Sequence, residues 1–372
     1  MRLHDRYLFR ELLTPLAYCL GGFLVFWVSY FFFTQLDKMQ EAKLHLLDSM
    51  EYAVAMMSGF FVMVLPIALL LALLYALTQH ARHHELTALR AAGVGLWRLC
   101  APYFAVGLAA ASIYLFLNEV AVPRSTAWSE EILGRYVKAD NKPKTKTHFT
   151  ENGFRIHASR IWKFGEYDAV AETMVNPKVA WTLTDGSWRS LQATRAERTN
   201  GTWIFYDAQM LAQTGARGSL LPLFVTNAIA MTEFDETPKQ ILSDLKFSDT
   251  QSLVSSRSAD IPLREIREYL RLHPEISAKD ANPILTKYCG RLAAPWTCLV
   301  VVLIAIPFGA PSGRRNLFFG VAGSIFICFA YFVLQQVSLA FGLSGQLPPW
   351  LAAWLPNMFF AVTGVFMIFR TR

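Results

Sequence analysis

The chain has 372 residues, 53% of them hydrophobic and 17% charged, and its mean hydropathy is +0.30. That is too apolar for an ordinary soluble protein and too charged for one lying wholly in a membrane, so a mixed membrane and soluble architecture follows. The net charge of +7 reads first as orientation signals and second as an anionic partner, and nucleic acid is a poor fit.

Six apolar runs of about 20 residues qualify as membrane-spanning helices: Leu12–Phe33, Ala53–Thr78, Leu99–Val122, Leu292–Ala310, Leu317–Phe341 and Trp350–Phe369. The first has full spanning length and lacks a small-residue cleavage pattern after it, so it is expected to remain as an anchor. Arg2, Arg6 and Arg10 precede it. Arg82, Arg90 and Arg98 lie between the second and third runs, Arg314 and Arg315 between the fourth and fifth, and Arg370 and Arg372 after the sixth. The opposing loops hold Lys38 and Lys43, diluted by Asp37, Glu41, Asp48 and Glu51, and nothing basic in Gly342–Pro349. By the positive-inside rule both termini are expected in the cytoplasm and the large polar insert outside.

Between the second and third runs lies a short polar island, QHARHHELTALRAAGVGLWR, from Gln79 to Arg98. At about 100° per residue, Ala81, Ala88, Leu89 and Ala92 share one helical face with Glu85 among them, while His83, Thr87 and Arg90 turn away. Gly93 and Gly95 offer a stop. The island therefore reads as a short helix at the membrane surface. A lone carboxylate on a small-residue face is suited to docking. The alternative is a solvated loop in which Glu85 pairs with Arg82 or Arg90.

The chain divides into residues 1–122, with three spans and a short helix near 80–94, an insert over 123–288, and residues 289–372 with three more spans. The insert has β character: Phe154 and Ile156 follow Asn152-Gly153, Val179, Trp181 and Leu183 precede Asp185-Gly186, and Trp203 and Phe205 follow Asn200-Gly201. Thr199-Asn200-Gly201-Thr202 predicts a hairpin turn. A sandwich or open barrel is expected, closed by an amphipathic helix over IPLREIREYLRLHP, with Asp260 as cap and Pro262 in its first turn.

A nucleotide-cradling G-x-x-x-x-G-K-[ST] loop is absent, so driven work would need a motor on another subunit. His80, His83, His84 and Glu85 lack H-E-x-x-H spacing, and a polar helix surface is a better reading than a metal site. No G-x-S-x-G elbow is present, and no cofactor is expected. The five cysteines, Cys19, Cys100, Cys289, Cys298 and Cys328, sit in or beside apolar runs without a C-x-x-C pair and read as small buried hydrophobes. Pro15, Pro66, Pro102, Pro295 and Pro307 can bend helices around a cavity or be inert. Lys38, Lys43 and Arg124, near the outer ends of the first three runs, are candidates for lipid-headgroup phosphates or plain interfacial anchors. The aromatic run Trp27–Phe33 could face acyl chains or bulk lipid.

The opening DRYLFREL at Asp5–Leu12, VLPIALLLALLYAL at Val64–Leu77, HELTALRAAGV at His84–Val94 and the layout of three helices, a domain and three helices together resemble the lipopolysaccharide-export permease family LptF/LptG over the whole chain. The helix Ile261–Leu272, Tyr288, Arg291 and Pro295 entering the fourth run, Pro307-Phe308-Gly309 leaving it, and LPPWLAAWLPN at Leu347–Asn357 lie nearer LptG. The resemblance implies an α-helical inner-membrane protein of six transmembrane helices with an inserted all-β, jellyroll-like periplasmic domain. It implies a non-catalytic permease subunit of an ABC-type extractor, with a second six-span permease as heterodimer partner and a cytoplasmic ATPase dimer as motor. Lipopolysaccharide would pass from the outer leaflet of the inner membrane to a periplasmic bridge protein of the LptC/LptA type. It assigns His84–Val94 as the coupling helix, with Glu85, Leu86, Leu89 and Gly93 at the ATPase dock and Arg82 and Arg90 beside it. Where the family carries a lysine at the end of its first span, this chain has Phe33, Thr34 and Gln35, and Lys38 is the nearest amine. The rival readings are a membrane-anchored envelope enzyme and a scaffold or sensor with an outer β domain.

Overall fold

A computed structural model describes residues 3–41, 45–85, 88, 91–93, 96–137, 148–150, 153–156, 160–183, 187–213, 220–252, 261–274, 276, 278–309 and 317–370. In chain order the elements are α1 (Leu3–Glu41), α2 (Leu46–Arg82), α3 (Leu96–Phe116), a π-helical turn (Leu117–Ala121) and α4 (Val122–Val137). Strands follow: β1 (His148–Thr150), β2 (Gly153–Ile156), β3 (Arg160–Lys163), β4 (Glu166–Asp168), β5 (Thr173–Val175), β6 (Lys178–Thr182), β7 (Trp188–Gln192), β8 (Arg195–Thr199), β9 (Thr202–Gln213) and β10 (Leu220–Met231). Then come α5 (Pro238–Ser252), α6 (Leu263–Leu272), α7 (Ala278–Ala293), a 3-10 turn (Ala294–Trp296), α8 (Thr297–Gly309), α9 (Leu317–Leu343) and α10 (Pro349–Arg370). The chain forms two compact units, Met1–Tyr136 with Ala281–Arg372, and Val137–Asp280.

In the helical unit, six stretches are long and apolar enough to cross a membrane, as the hydropathy pattern predicts. The third and fourth extend beyond their apolar runs. Helix continues through the π turn at Leu117–Ala121 and past Val122 to Val137, and the fourth stretch begins in α7, upstream of Leu292. Helix α8 is apolar on every side, and that makes it the core: Cys298, Val301, Val302 and Ala305 are completely buried, and the helix packs against α2, α3, α9 and α10. Its partner α2 supplies Ala68, Leu69, Ala72 and Leu73, also completely buried.

Small residues set the spacing around α8, as expected where lipid supplies no hydrophobic drive between helices. A Cβ at Gly364 of α10 would lie 3.0 Å from Leu303 Cβ and 3.2 Å from the Leu303 carbonyl carbon and oxygen, which are backbone and cannot step aside. Gly59 in α2 has open space instead. Gly364→Ala should therefore lower the thermal midpoint in detergent, by the equivalent of about 1–3 kcal/mol, whereas Gly59→Ala should leave it unchanged or raise it.

The second unit is one antiparallel sheet, curled rather than stacked. Its order is β1-β4-β5-β8-β9-β7-β6-β3-β2, with β10 along the other edge of β9. Strand β9 holds the curl. Its first half, Thr202–Tyr206, pairs with β8 and its second, Gln209–Gln213, with β7. The handover falls at Asp207, whose φ of 51° kinks the strand. Asn200 (φ 53°) and Gly201 (φ 85°) form the tight turn between β8 and β9, with Thr199 opposite Thr202, at the dipeptide expected from the sequence. Val179, Trp203 and Phe205 are completely buried and Trp181 nearly so, as their alternation predicts. The turn expected at Asp185-Gly186 lies outside the described residues, as do Asn152 and Asp260.

Trp162, Trp181, Phe205 and Phe234 meet at ring distances of 5.4–5.9 Å. Glu236, almost fully buried, satisfies the polar atoms of this cluster. Its carboxylate accepts from Arg160 at 2.5 Å and from the Trp162 indole at 3.3 Å, and its carbonyl accepts from the Trp203 indole at 3.1 Å. The amphipathic helix appears as α6, two residues shorter at its start than expected. Pro262 stands in extended backbone before the helix rather than in its first turn.

Helix α5, which the sequence reading did not contain, meets α6 through Gln240, whose Nε2 donates to the Leu272 carbonyl at 3.2 Å. Beside it, His273 faces an acceptor at each nitrogen, the Tyr269 carbonyl at 3.0 Å and the Asp244 carboxylate at 3.2 Å. Burial pushes the imidazole pKa down, but the hydrogen bond and charge of Asp244 and the Tyr269 carbonyl outweigh it, and the net shift is upward. A raised pKa means that the contribution is fully present below the unfolded value of about 6.5 and is lost as pH rises through the folded value. Hydrogen exchange of α5 and α6 in the full chain should accelerate as pH is raised through that window, after correction for intrinsic exchange, and Asp244→Asn should flatten the dependence.

Candidate functional site

The polar island is built by two backbone reversals. Helix α2 runs through Arg82, so Gln79–Arg82 form its last turn rather than part of a separate helix. His83 and His84 break it: their amides bond back to the carbonyls of Gln79 and Ala81, and His84 takes a φ of 57°, rare for a residue with a side chain. Helical bonding then resumes, Ala88 N–H to the His84 carbonyl at 2.9 Å and Ala92 N–H to Ala88 at 3.0 Å. Gly93, at φ 84°, ends it in the left-handed conformation glycine adopts freely.

Glu85 opens this short helical segment. Its Oε2 lies 2.7 Å from His80 Nδ1, and the Tyr7 hydroxyl of α1 reaches both carboxylate oxygens at 3.4 and 3.5 Å. Tyr7 also meets the His80 ring edge-on, with centroids 5.9 Å apart. Among the described residues, then, the partners of Glu85 are His80 and Tyr7. Arg82 is exposed at the end of α2, and the side chains of Leu86, Leu89 and Arg90 lie outside the described residues. Sequence reasoning missed His80 and Tyr7. The signal for His80 was a histidine at the buried end of an apolar run, five residues before a carboxylate; Tyr7 had none, because its contact depends on how α1 packs.

The lipid-facing candidates separate. Arg124 is exposed in the first turn of α4, the Lys38 side chain is not among the described ones, and Lys43 lies outside the described residues. The aromatic run divides by face. Trp27 and Phe31 pack against Phe60 and Tyr52 of α2, while Phe26, Tyr30 and Phe33 stay exposed on α1.

A second polar cluster lies deep among the helices. Pro123 has no N–H, and the Val122 N–H reaches back to Leu117, so neither donates to Asn118 in the helical manner. The Asn118 carbonyl instead accepts from the Arg291 guanidinium of α7, whose Nε also donates to Glu119 at 3.0 Å. The 3-10 turn at Pro295 acts likewise. The Thr297 N–H bonds Ala294, leaving the Ala293 carbonyl to accept from Asn357 Nδ2 at 2.9 Å. The Tyr331 hydroxyl gives its one proton to Asn357 Oδ1 at 2.5 Å, so Thr297, at 2.7 Å, donates to Tyr331. Arg291 and Glu119 escaped the sequence reading as a pair, although ionisable residues inside apolar helices are a signal in their own right.

Breaking a buried pair leaves one charge without compensation at a cost of about 3–5 kcal/mol. Arg291→Met should therefore lower thermal stability in detergent steeply, and adding Glu119→Leu should recover most of the loss, a coupling that a double-mutant cycle measures.

Six helices able to cross a membrane, a helically turned polar segment between the second and third, and a curled antiparallel β unit inserted between the third and fourth define a multi-pass helical membrane protein of mixed architecture. The sequence profile of the family described as lipopolysaccharide export system permease LptF/LptG matches residues 6–370, and the chain belongs to that family. The match does not separate LptF from LptG. No curated protein matches the chain. Membership carries a permease role in lipopolysaccharide export and, with six such helices, fits a multi-pass protein of the inner membrane.

Proposed function

We propose that the chain is the non-catalytic transmembrane subunit of an ABC-type lipopolysaccharide extractor, nearer LptG than LptF. In this reading both termini and the Glu85 segment face the cytoplasm and the β unit faces the periplasm. A cytoplasmic ATPase dimer binds the segment, and ATP closure moves it as a lever against the cavity shared with a second six-span permease. Lipid then leaves the outer leaflet of the inner membrane for the β unit and a bridge protein of the LptC/LptA type. The observation carrying the reading is the segment itself, a short helical element set off from α2 by the left-handed His84, closed by the left-handed Gly93, and led by a carboxylate. Leu86, Leu89, Gly93, Arg82 and Arg90 complete the dock.

Other features support the reading. The exposed aromatic face of α1, with Phe26, Tyr30 and Phe33, suits lipid or the partner permease. Among the described residues β10 has only β9 as a strand partner, and Leu221, Leu223 and Val225 along it are exposed, which suits strand addition by a bridge. Exposed Arg124, with Lys38 and Lys43, supplies cations for headgroup phosphates. The test is affinity purification of the tagged chain from mild-detergent membranes. An ATPase and a second permease should co-purify, and Glu85→Lys should lose at least tenfold of the ATPase while the second permease stays; undiminished ATPase in that variant would remove Glu85 from the dock.

A further inference from the structure

We propose that His80 is the positioning residue for Glu85, and that through it and Tyr7 the movement of the coupling segment is passed to α2 and α1. The proposal rests on the docking reading of Glu85 given above.

The Glu85 carboxylate is where three parts of the chain meet. His80 belongs to the last turn of α2 and is 3% exposed, so its ring orientation is fixed by packing. Its Nδ1 contact at 2.7 Å has the length of a charge-assisted hydrogen bond. That bond spans the turn in which His84 adopts its left-handed conformation. A residue with a side chain holds such a conformation only where surrounding contacts over-determine it, and the His80–Glu85 bond adds a side-chain contact across this turn to its backbone bonds. The Tyr7 contacts are longer and individually weaker, but Tyr7 touches both the carboxylate and the imidazole, and so joins α1 to the same point. The Glu85 side chain is 35% exposed, so a partner can reach it while Oε2 stays held. A push on the segment is thus delivered to two spanning helices instead of being absorbed by a two-residue turn.

The ring is held through one nitrogen, because buried Nε2 has no hydrogen-bond partner among the described residues. This makes a sharp substitution series available. The amide nitrogen of asparagine falls where Nδ1 stands and that of glutamine where Nε2 stands, while leucine keeps bulk and offers no donor. His80→Asn should therefore retain the positioning, and His80→Gln and His80→Leu should lose it.

The first measurement is hydrogen exchange of the peptide covering residues 83–93 in the purified full-length chain without any motor. His80→Gln and His80→Leu should exchange at least threefold faster at Ala88 and Ala92, with His80→Asn within twofold of the unaltered chain. Unchanged exchange in His80→Leu, or loss in His80→Asn equal to that in His80→Leu, overturns the positioning role. The second measurement uses the assembled complex in vesicles containing lipopolysaccharide and reads lipid moved per ATP hydrolysed. That ratio should fall at least threefold in the two losing variants and recover in His80→Asn, with motor co-purification unchanged throughout; a loosened segment with an unchanged ratio overturns the transmission. Failure of the docking reading looks different, since the motor would then co-purify undiminished with Glu85→Lys while the exchange series kept its order.

Discussion

A proline inside a spanning helix leaves carbonyl groups without donors in a medium that supplies none, and the helical unit depends on where those donors come from. At Pro123 the answer is a π turn and the Arg291 guanidinium; at Pro295 it is a 3-10 turn and the Asn357 amide. Each repair crosses from one helix to another. The devices that satisfy the backbone are therefore the same ones that tie α3 to α7, and α7 and α8 to α9 and α10. Arginine suits the first site because its fork serves a carbonyl and a carboxylate at once, which a lysine point charge would not do with the same geometry.

Around that polar lattice the packing is of another kind. Helix α8 has no polar face to orient it, so its position is set by shape, with Gly107 and Gly364 admitting it closely from two sides. Polar pairs specify which helices are neighbours, and small residues specify how near they come. The β unit uses a different logic again: one long strand serves two limbs, and a single buried glutamate satisfies an arginine and two indoles.

What the sequence made legible follows from periodicity and local chemistry. Spans announce themselves by length and apolarity, and the Asn200-Gly201 turn by a dipeptide whose conformational needs are local. The β character of Val179, Trp181, Trp203 and Phe205 was readable because alternation maps directly onto two faces. Less visible was anything that depends on helices meeting. Val122 looked like the end of a span because the apolar run stops there, yet after a π turn the helix continues through Pro123 to Val137. Helix α5 went unread although its start carries a local signal: Thr237 Oγ1 accepts from the Gln240 N–H at 3.3 Å and Gln240 Oε1 from the Thr237 N–H at 2.8 Å, a capping box with Pro238 in the first turn. Glu85 stood out as an isolated carboxylate, but its two partners lie on other segments, one of them nearly eighty residues upstream. Gly93, by contrast, was a local signal and was read locally.

The core joins residues made early to residues made late, since Val137–Asp280 separates the two halves of the helical unit. At ribosomal rates of about 5–20 residues per second, the first three spans wait roughly ten to thirty seconds before the residues that complete them are synthesised. For the Leu69 and Leu73 face of α2 the delay is benign, because lipid is nearly as good a surrounding as Val301 and Val302. For Glu119 it is not, because its counter-charge on Arg291 does not yet exist. Until then an uncompensated carboxylate in an apolar helix is costly. The ion pair thus joins an early-made helix to a late-made one, with the whole β unit between them in the order of synthesis.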